Sequence, residues 1–172
     1  MQFPSRENFE KWFIKPNKTP YPLSGWKLHI SGESEEDSII IRNALIEVIE
    51  KYNLGWKLAR DEFFKLANEK GRNQYKSSTI YLPIKVINSG KQFQVVKDIS
   101  SNLKENKYGK DIPIKGSNKI ANSIYYRYDL DIPLTKEGFS REEYFKRYKP
   151  SGGNFNIEGN KDILGDYKKT QM

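Results

Sequence analysis

The chain has no cysteine and only one histidine, His29, among its 172 residues. Without cysteine there is no disulfide, no thiol nucleophile and no cysteine-ligated zinc or iron–sulfur centre. One histidine cannot build a multi-histidine metal site. Nowhere do about 18 apolar residues run together, and the N-terminus lacks the charged-then-apolar pattern of a secretory signal. A soluble, cytoplasmic protein without membrane contact is therefore expected. Internal repeats are missing too. Whatever chemistry the chain performs must use ordinary acid, base and cationic side chains.

What is present is charge and aromatic surface. Thirty Lys and Arg against 22 Asp and Glu leave a formal net charge of +8. An excess of this size points to an anionic partner: nucleic acid, a phosphorylated molecule or an acidic peptide. The abundance of Lys, Asn and Ile also fits a simple genome-composition effect, so charge alone does not choose. Hydrophobic content is 36%, but 11 Tyr, 9 Phe and 3 Trp give a core enough area per residue. The length suits one domain.

Periodicity supplies the elements. Residues Ser5 to Phe13 fit a short amphipathic helix, with Ser5 as cap and Phe9, Trp12 and Phe13 on one side. Pro16 to Pro22 breaks it. Trp26 to Ser31 alternates as a strand, with Trp26, Leu28 and Ile30 on one face and Lys27, His29 and Ser31 on the other. Ser34 and Asp37 form a capping box for a helix to about Tyr52, whose buried stripe is Ile41, Leu45, Val48 and Ile49. Asn53-Leu54-Gly55 ends it. Trp56 to Ala59 reads as extended and Arg60 to Lys70 as helix. Ser77 to Ile87 is β-rich, Lys91 to Lys107 a surface-lying helix, Ser123 to Tyr128 a strand and Arg141 to Tyr148 a short helix. From Lys149 onward Gly, Asn, Lys and Asp predict a loose tail. This mixture has no regular βαβ period, so the expected class is α+β, with antiparallel sheet flanked by helices in a single domain.

Five places join a functional side chain to a neighbourhood able to hold it. Lys27 and His29 share a strand face, although an incidental histidine on a half-exposed strand gives the same pattern. Lys57 sits between apolar residues in Trp56-Lys57-Leu58, where a lysine either snorkels to water or, if desolvated, becomes a base. Arg72 and Lys76 precede the next strand, and Tyr81 lies within it. Arg127 stands in Tyr125-Tyr126-Arg127-Tyr128, where it either stacks on its neighbours or binds an anion, with Lys115 and Lys119 upstream.

Taken in order, the Trp26–Ser31 strand, Trp56-Lys57-Leu58, Arg72 ahead of Tyr81, and Tyr125-Tyr126-Arg127-Tyr128 resemble phosphoserine/phosphothreonine lyase domains. The nearest likeness is to the N-terminal lyase domain of class III and IV lanthipeptide synthetases. A more distant one is to the phosphothreonine lyase effectors that bacterial pathogens inject into host cells. The resemblance spans roughly residues 25–150, leaving 1–24 as a helix with a Pro-rich lead and 151–172 as a flexible tail or linker. The family pattern departs at Tyr75-Lys76-Ser77, which replaces a Gly-Lys-Phe step, and upstream of Tyr125, where Lys115 or Lys119 replaces an arginine pair. Lysine lacks the bidentate fork of arginine.

The resemblance implies β-elimination of phosphate from phosphoserine or phosphothreonine in a peptide, giving dehydroalanine or dehydrobutyrine, with no metal and no cofactor. It assigns Lys57 as base, His29 as acid to the leaving phosphate, and Lys27 as stabiliser of developing negative charge. Tyr81 donates to the phosphate or orients Lys57. Arg72 and Arg127 clamp the phosphate, helped by Lys76 and by Lys115 or Lys119. The implied partners are a phosphorylated precursor peptide and a separate or fused kinase and cyclase. No kinase signature follows, since Gly152-Gly153 is too little for a nucleotide loop. Three alternatives compete: an effector acting on a host phosphoprotein, a non-catalytic phosphopeptide binder, and a single-strand nucleic-acid binder using interleaved aromatics. Scattered charge and the lack of a known nucleic-acid module speak against the last.

Overall fold

The strand expected at Trp26–Ser31 forms, as β2 (Gly25–Ser31), and it lies inside a wholly antiparallel sheet. The computed structural model describes residues 9–16, 25–70, 75–129, 164, 165 and 167. Among these, the chain begins with α1 (Phe9–Trp12), β1 (Phe13–Ile14), β2, α2 (Glu35–Tyr52), β3 (Gly55–Ala59) and α3 (Asp61–Lys70). It continues with β4 (Lys76–Tyr81), α4 (Ile84–Asn88), α5 (Gln92–Glu105), β5 (Asn118–Ala121) and β6 (Ile124–Asp129). The sheet order is β1-β3-β4-β2-β6-β5. This is the α+β architecture read from the sequence, an antiparallel sheet with helices.

Helix α2 starts where its caps dictate. Ser34 is extended, and its hydroxyl accepts from the Asp37 amide at 3.2 Å. The Asp37 carboxylate accepts in turn from the Glu33 amide at 2.8 Å, which ties the incoming chain to the first turn. Asn53, left-handed at φ 51°, closes the C-terminus. Ile41, Ala44, Leu45 and Val48 of α2 are buried with Leu28, Ile30 and Ile80 of the sheet and with Val95, Val96, Ile99 and Leu103 of α5. Leu164 and Tyr167, from the stretch expected to be loose, belong to this same core, and Tyr167 meets the ring of Phe93 at 6.1 Å. A second cluster of Phe13, Ala59, Phe63, Phe64 and Ala67 fills the β1 end.

Three elements differ from expectation for identifiable reasons. Phe13 leaves the helix and enters β1, paired with Ala59, because its ring joins the second cluster. The β-rich run stops at Tyr81: after one more link, Leu82 amide to Trp26 carbonyl at 3.1 Å, Pro83 has no amide to continue and instead starts α4. Helix α5 spans most of 91–107, yet one side of it is core rather than surface. Strand β5 was not anticipated. The expected cap Ser5, the Pro-rich lead from Asn17 and the helix at 141–148 lie outside the described residues, as does Arg72.

Gly32, just after β2, is required by close approach. A Cβ there would lie 2.8 Å from both the Ser77 Cβ and the Tyr108 hydroxyl oxygen. That hydroxyl donates to the Ser31 carbonyl, and burial raises its pKa. Among the described residues no helix is long and apolar enough to cross a membrane.

Candidate functional site

Antiparallel pairing sends directly opposed residues to the same face of a sheet. Lys27 stands opposite Tyr81 on β4 and Arg127 on β6. One row along, His29 stands opposite Thr79 and Tyr125, and Thr79 in turn opposite Lys57 of β3. These residues share the face away from the Leu28 and Ile30 core, so the register assembles them without any loop. A shift between Ile30 and Ser31 leaves Ser77 unpaired and sets Lys76 opposite Ser31. Lys76 then exerts the largest coulombic influence on His29, ahead of Arg127, Lys27 and Lys57. Four neighbouring strands, β3, β4, β2 and β6, thus each supply one cation.

The histidine is not on a half-exposed strand. It is 1% exposed, with Lys27 at 6% and Arg127 at 8%. Its Nδ1 lies 3.2 Å from the Thr79 hydroxyl. Its Nε2 is buried and has no hydrogen-bond partner among the described residues. Burial first, and then the four cations, hold the imidazole pKa well below its usual value, which favours the neutral ring. Lys57 lies over the Phe13 ring with its nitrogen 4.1 Å from the centroid, and Lys27 lies over Tyr81 at 5.6 Å. A buried imidazole beside four cationic side chains is an arrangement able to meet an anion.

The upstream lysines are placed differently. Lys119 is on edge strand β5 and its ammonium bonds to the Asp111 carboxylate. Asp111 also accepts from the Tyr125 hydroxyl at 2.9 Å and the Ser123 amide at 3.0 Å, fixing the Tyr125 ring beside His29. Burial, together with this bond, pushes the Tyr125 pKa to about 12. Lys115 is exposed in the turn before β5. The structure therefore brings together Lys27, His29, Lys57, Lys76, Tyr81 and Arg127, but not Lys115, and it ties Lys119 to Asp111. Thr79, Tyr125 and Phe13 are members that the sequence reading passed over. The first two had a signal, since each stands two residues before a named site residue on a strand, which is the same face. Phe13 had none, because its contact depends on the pairing of β1 with β3. Among the described residues no group of three or more acidic or histidine side chains could hold a metal ion.

Comparison with solved structures finds this fold elsewhere. The type III effector and phosphothreonine lyase OspF from Shigella flexneri is similar, with TM-score 0.50 and 16% identity over 78% of this chain and 71% of that one. The phosphothreonine lyase SpvC, an effector from Salmonella, matches with TM-score 0.47 and 20% identity over 79% and 71%. A further phosphothreonine lyase structure gives TM-score 0.49 and 17% identity over 78% and 70%. At these identities the likeness concerns the fold. No protein-family model matches the chain, and no curated protein does.

Proposed function

We propose that the chain is a phosphothreonine lyase, removing phosphate from phosphothreonine or phosphoserine in a peptide by β-elimination. The observation that carries this reading is the convergence of cations from four strands on a buried histidine with one open nitrogen. A phosphate dianion is the kind of group that such a set of cations attracts. The fold shared with the Shigella phosphothreonine lyase supports the same reading.

The chemistry follows from the row geometry. Lys57, as the neutral amine, takes the α-proton of the phosphorylated residue. The electron pair left on Cα becomes the Cα–Cβ double bond as the Cβ–O bond breaks. The departing oxygen takes a proton from His29 Nε2, and inorganic phosphate leaves. Phosphate binding makes His29 ready for this, because an anion beside the ring offsets the cationic charges that act together with burial to keep it neutral. Lys27 offsets charge growing on the peptide carbonyl or the phosphate, and Tyr81, opposite Lys27, donates to the phosphate. Arg127 and Lys76 grip the phosphate. Lys119 faces the Asp111 carboxylate and is left out of this role.

The substrate reading divides in two. The structural likeness to type III effectors favours a phosphorylated host protein. Lanthipeptide maturation, in which a kinase phosphorylates a precursor peptide and a cyclase consumes the dehydro residue, rests on the sequence motifs. Mass spectrometry of a phosphothreonine peptide incubated with the chain, without metal or nucleotide, tests the chemistry. The expected product is lighter than the unphosphorylated peptide by one water and adds a thiol. A product equal in mass to the unphosphorylated peptide means hydrolysis and overturns the scheme. Binding without any product leaves a phosphopeptide-binding protein in its place.

A further inference from the structure

The imidazole of His29 has two nitrogens in unlike surroundings, and the inference drawn from them rests on the elimination reading above. Nδ1 meets the Thr79 hydroxyl at 3.2 Å, while Nε2 meets nothing among the described residues. Thr79 is 2% exposed, and its hydroxyl makes no other side-chain hydrogen bond there. A buried hydroxyl proton needs an acceptor, and a neutral imidazole offers one at its unprotonated nitrogen. Donation from Thr79 to Nδ1 leaves the ring proton on Nε2.

We infer that Thr79 is a positioning residue that sets the tautomer of His29, keeping the ring proton on Nε2, where the leaving phosphate oxygen must find it. The choice of a hydroxyl is informative. The groups acting on the ring from the surrounding strands include Lys27, Lys57, Lys76 and Arg127, with Tyr81 and Tyr125 on the same face, and no carboxylate of the described residues is among them. A carboxylate at position 79 would hold the imidazolium whether or not substrate were present. An apolar side chain would strand Nδ1. A hydroxyl serves both states. It donates to Nδ1 of the neutral ring, and it turns to accept from Nδ1–H once the bound phosphate brings the second proton. Thr79 thereby lets one histidine cycle between neutral and cationic forms without losing its orientation.

The single histidine makes this directly observable, since the imidazole signals of the chain labelled with ¹⁵N-histidine all come from His29. At pH 8 the free wild-type chain is expected to show the Nε2–H tautomer, with Nδ1 accepting a hydrogen bond. Thr79→Val, close in shape, should move the ring to the Nδ1–H form or a mixture. It should also lower kcat on a phosphothreonine peptide about tenfold or more, with KM little changed. Thr79→Ser should restore both. A wild-type ring protonated on Nδ1 overturns the inference, as does an unchanged tautomer in Thr79→Val or an equal rate loss in the Ser and Val variants. The tautomer needs no turnover to be seen. A chain that shows the expected tautomer and its change but no elimination contradicts the lyase reading and leaves the role of Thr79 intact.

Discussion

The two faces of strand β2 are both buried and could hardly be less alike. On one, Leu28 and Ile30 are wholly enclosed by α2, α5 and their neighbours on the sheet. On the other, Lys27 and His29 are almost as enclosed, yet they share their surroundings with Lys57, Lys76 and Arg127. The first face follows from the hydrophobic effect, with each large side chain contributing about 1.5–3 kcal/mol. The second costs stability, because a buried imidazole nitrogen without a hydrogen-bond partner among the described residues weakens the native state. An arrangement that costs stability and persists is informative about function. The helix-covered face holds the sheet together, and the polar face carries the residues proposed for phosphate elimination.

Substitutions that treat the faces separately sharpen this contrast. Lys57→Ala and His29→Ala should each slow elimination by a factor on the order of 10²–10⁴. Both should keep phosphopeptide binding in calorimetry and fold with unchanged or increased stability. Full activity in either variant would remove that residue from its role. Leu28→Ala, one position from His29 but on the other face, should cost about 2–5 kcal/mol in urea unfolding through the cavity it leaves. If Leu28→Ala proved neutral to folding while His29→Ala unfolded the chain, the two faces would have been assigned backwards. Gly32→Ala should destabilise by about 1–3 kcal/mol, because Ser77 and Tyr108 must move to admit a methyl group. Its effect on elimination at low temperature should be smaller than its effect on the melting temperature.

The smallest effect concerns pH. His29 has a lower pKa folded than unfolded, where it is about 6.5. Above the unfolded value neither state binds the proton, so His29 adds no pH dependence there. As pH falls through it, the unfolded chain takes a proton that the native chain refuses, and stability declines by up to about 1.4 kcal/mol per pH unit. Between pH 6.5 and 5, above the ordinary carboxylate range, His29→Gln should flatten this slope in urea titrations. An identical slope in the variant would mean that the native ring titrates normally.

Much of this was legible in the chain itself. Period-2 alternation put Lys27 with His29, capping chemistry marked the start of α2 at Ser34, and the Asn53-Leu54-Gly55 signal marked its end. The resemblance carried by the Lys27–His29 strand and the Tyr125–Tyr128 run led to a phosphothreonine-lyase-like fold, and the sheet agrees with it. What stayed hidden depends on pairing between distant segments. That Thr79 reaches His29 follows from the β2–β4 register, and that Lys119 is drawn to Asp111 follows from the turn before β5. Burial of the polar face was equally invisible, because a strand alternating in polarity ordinarily has one side in water. Pro83 could have been read as the end of β4, since a proline has no amide for a continuing ladder.

The most direct test of the account is the ionisation of His29 with and without inorganic phosphate, followed by the nitrogen shifts of that one imidazole. The account predicts a ring neutral at pH 7 in the free chain, whose pKa rises when phosphate binds beside Lys27, Lys57, Lys76 and Arg127. A ring already cationic in the free chain, or a pKa unmoved by saturating phosphate, would contradict it.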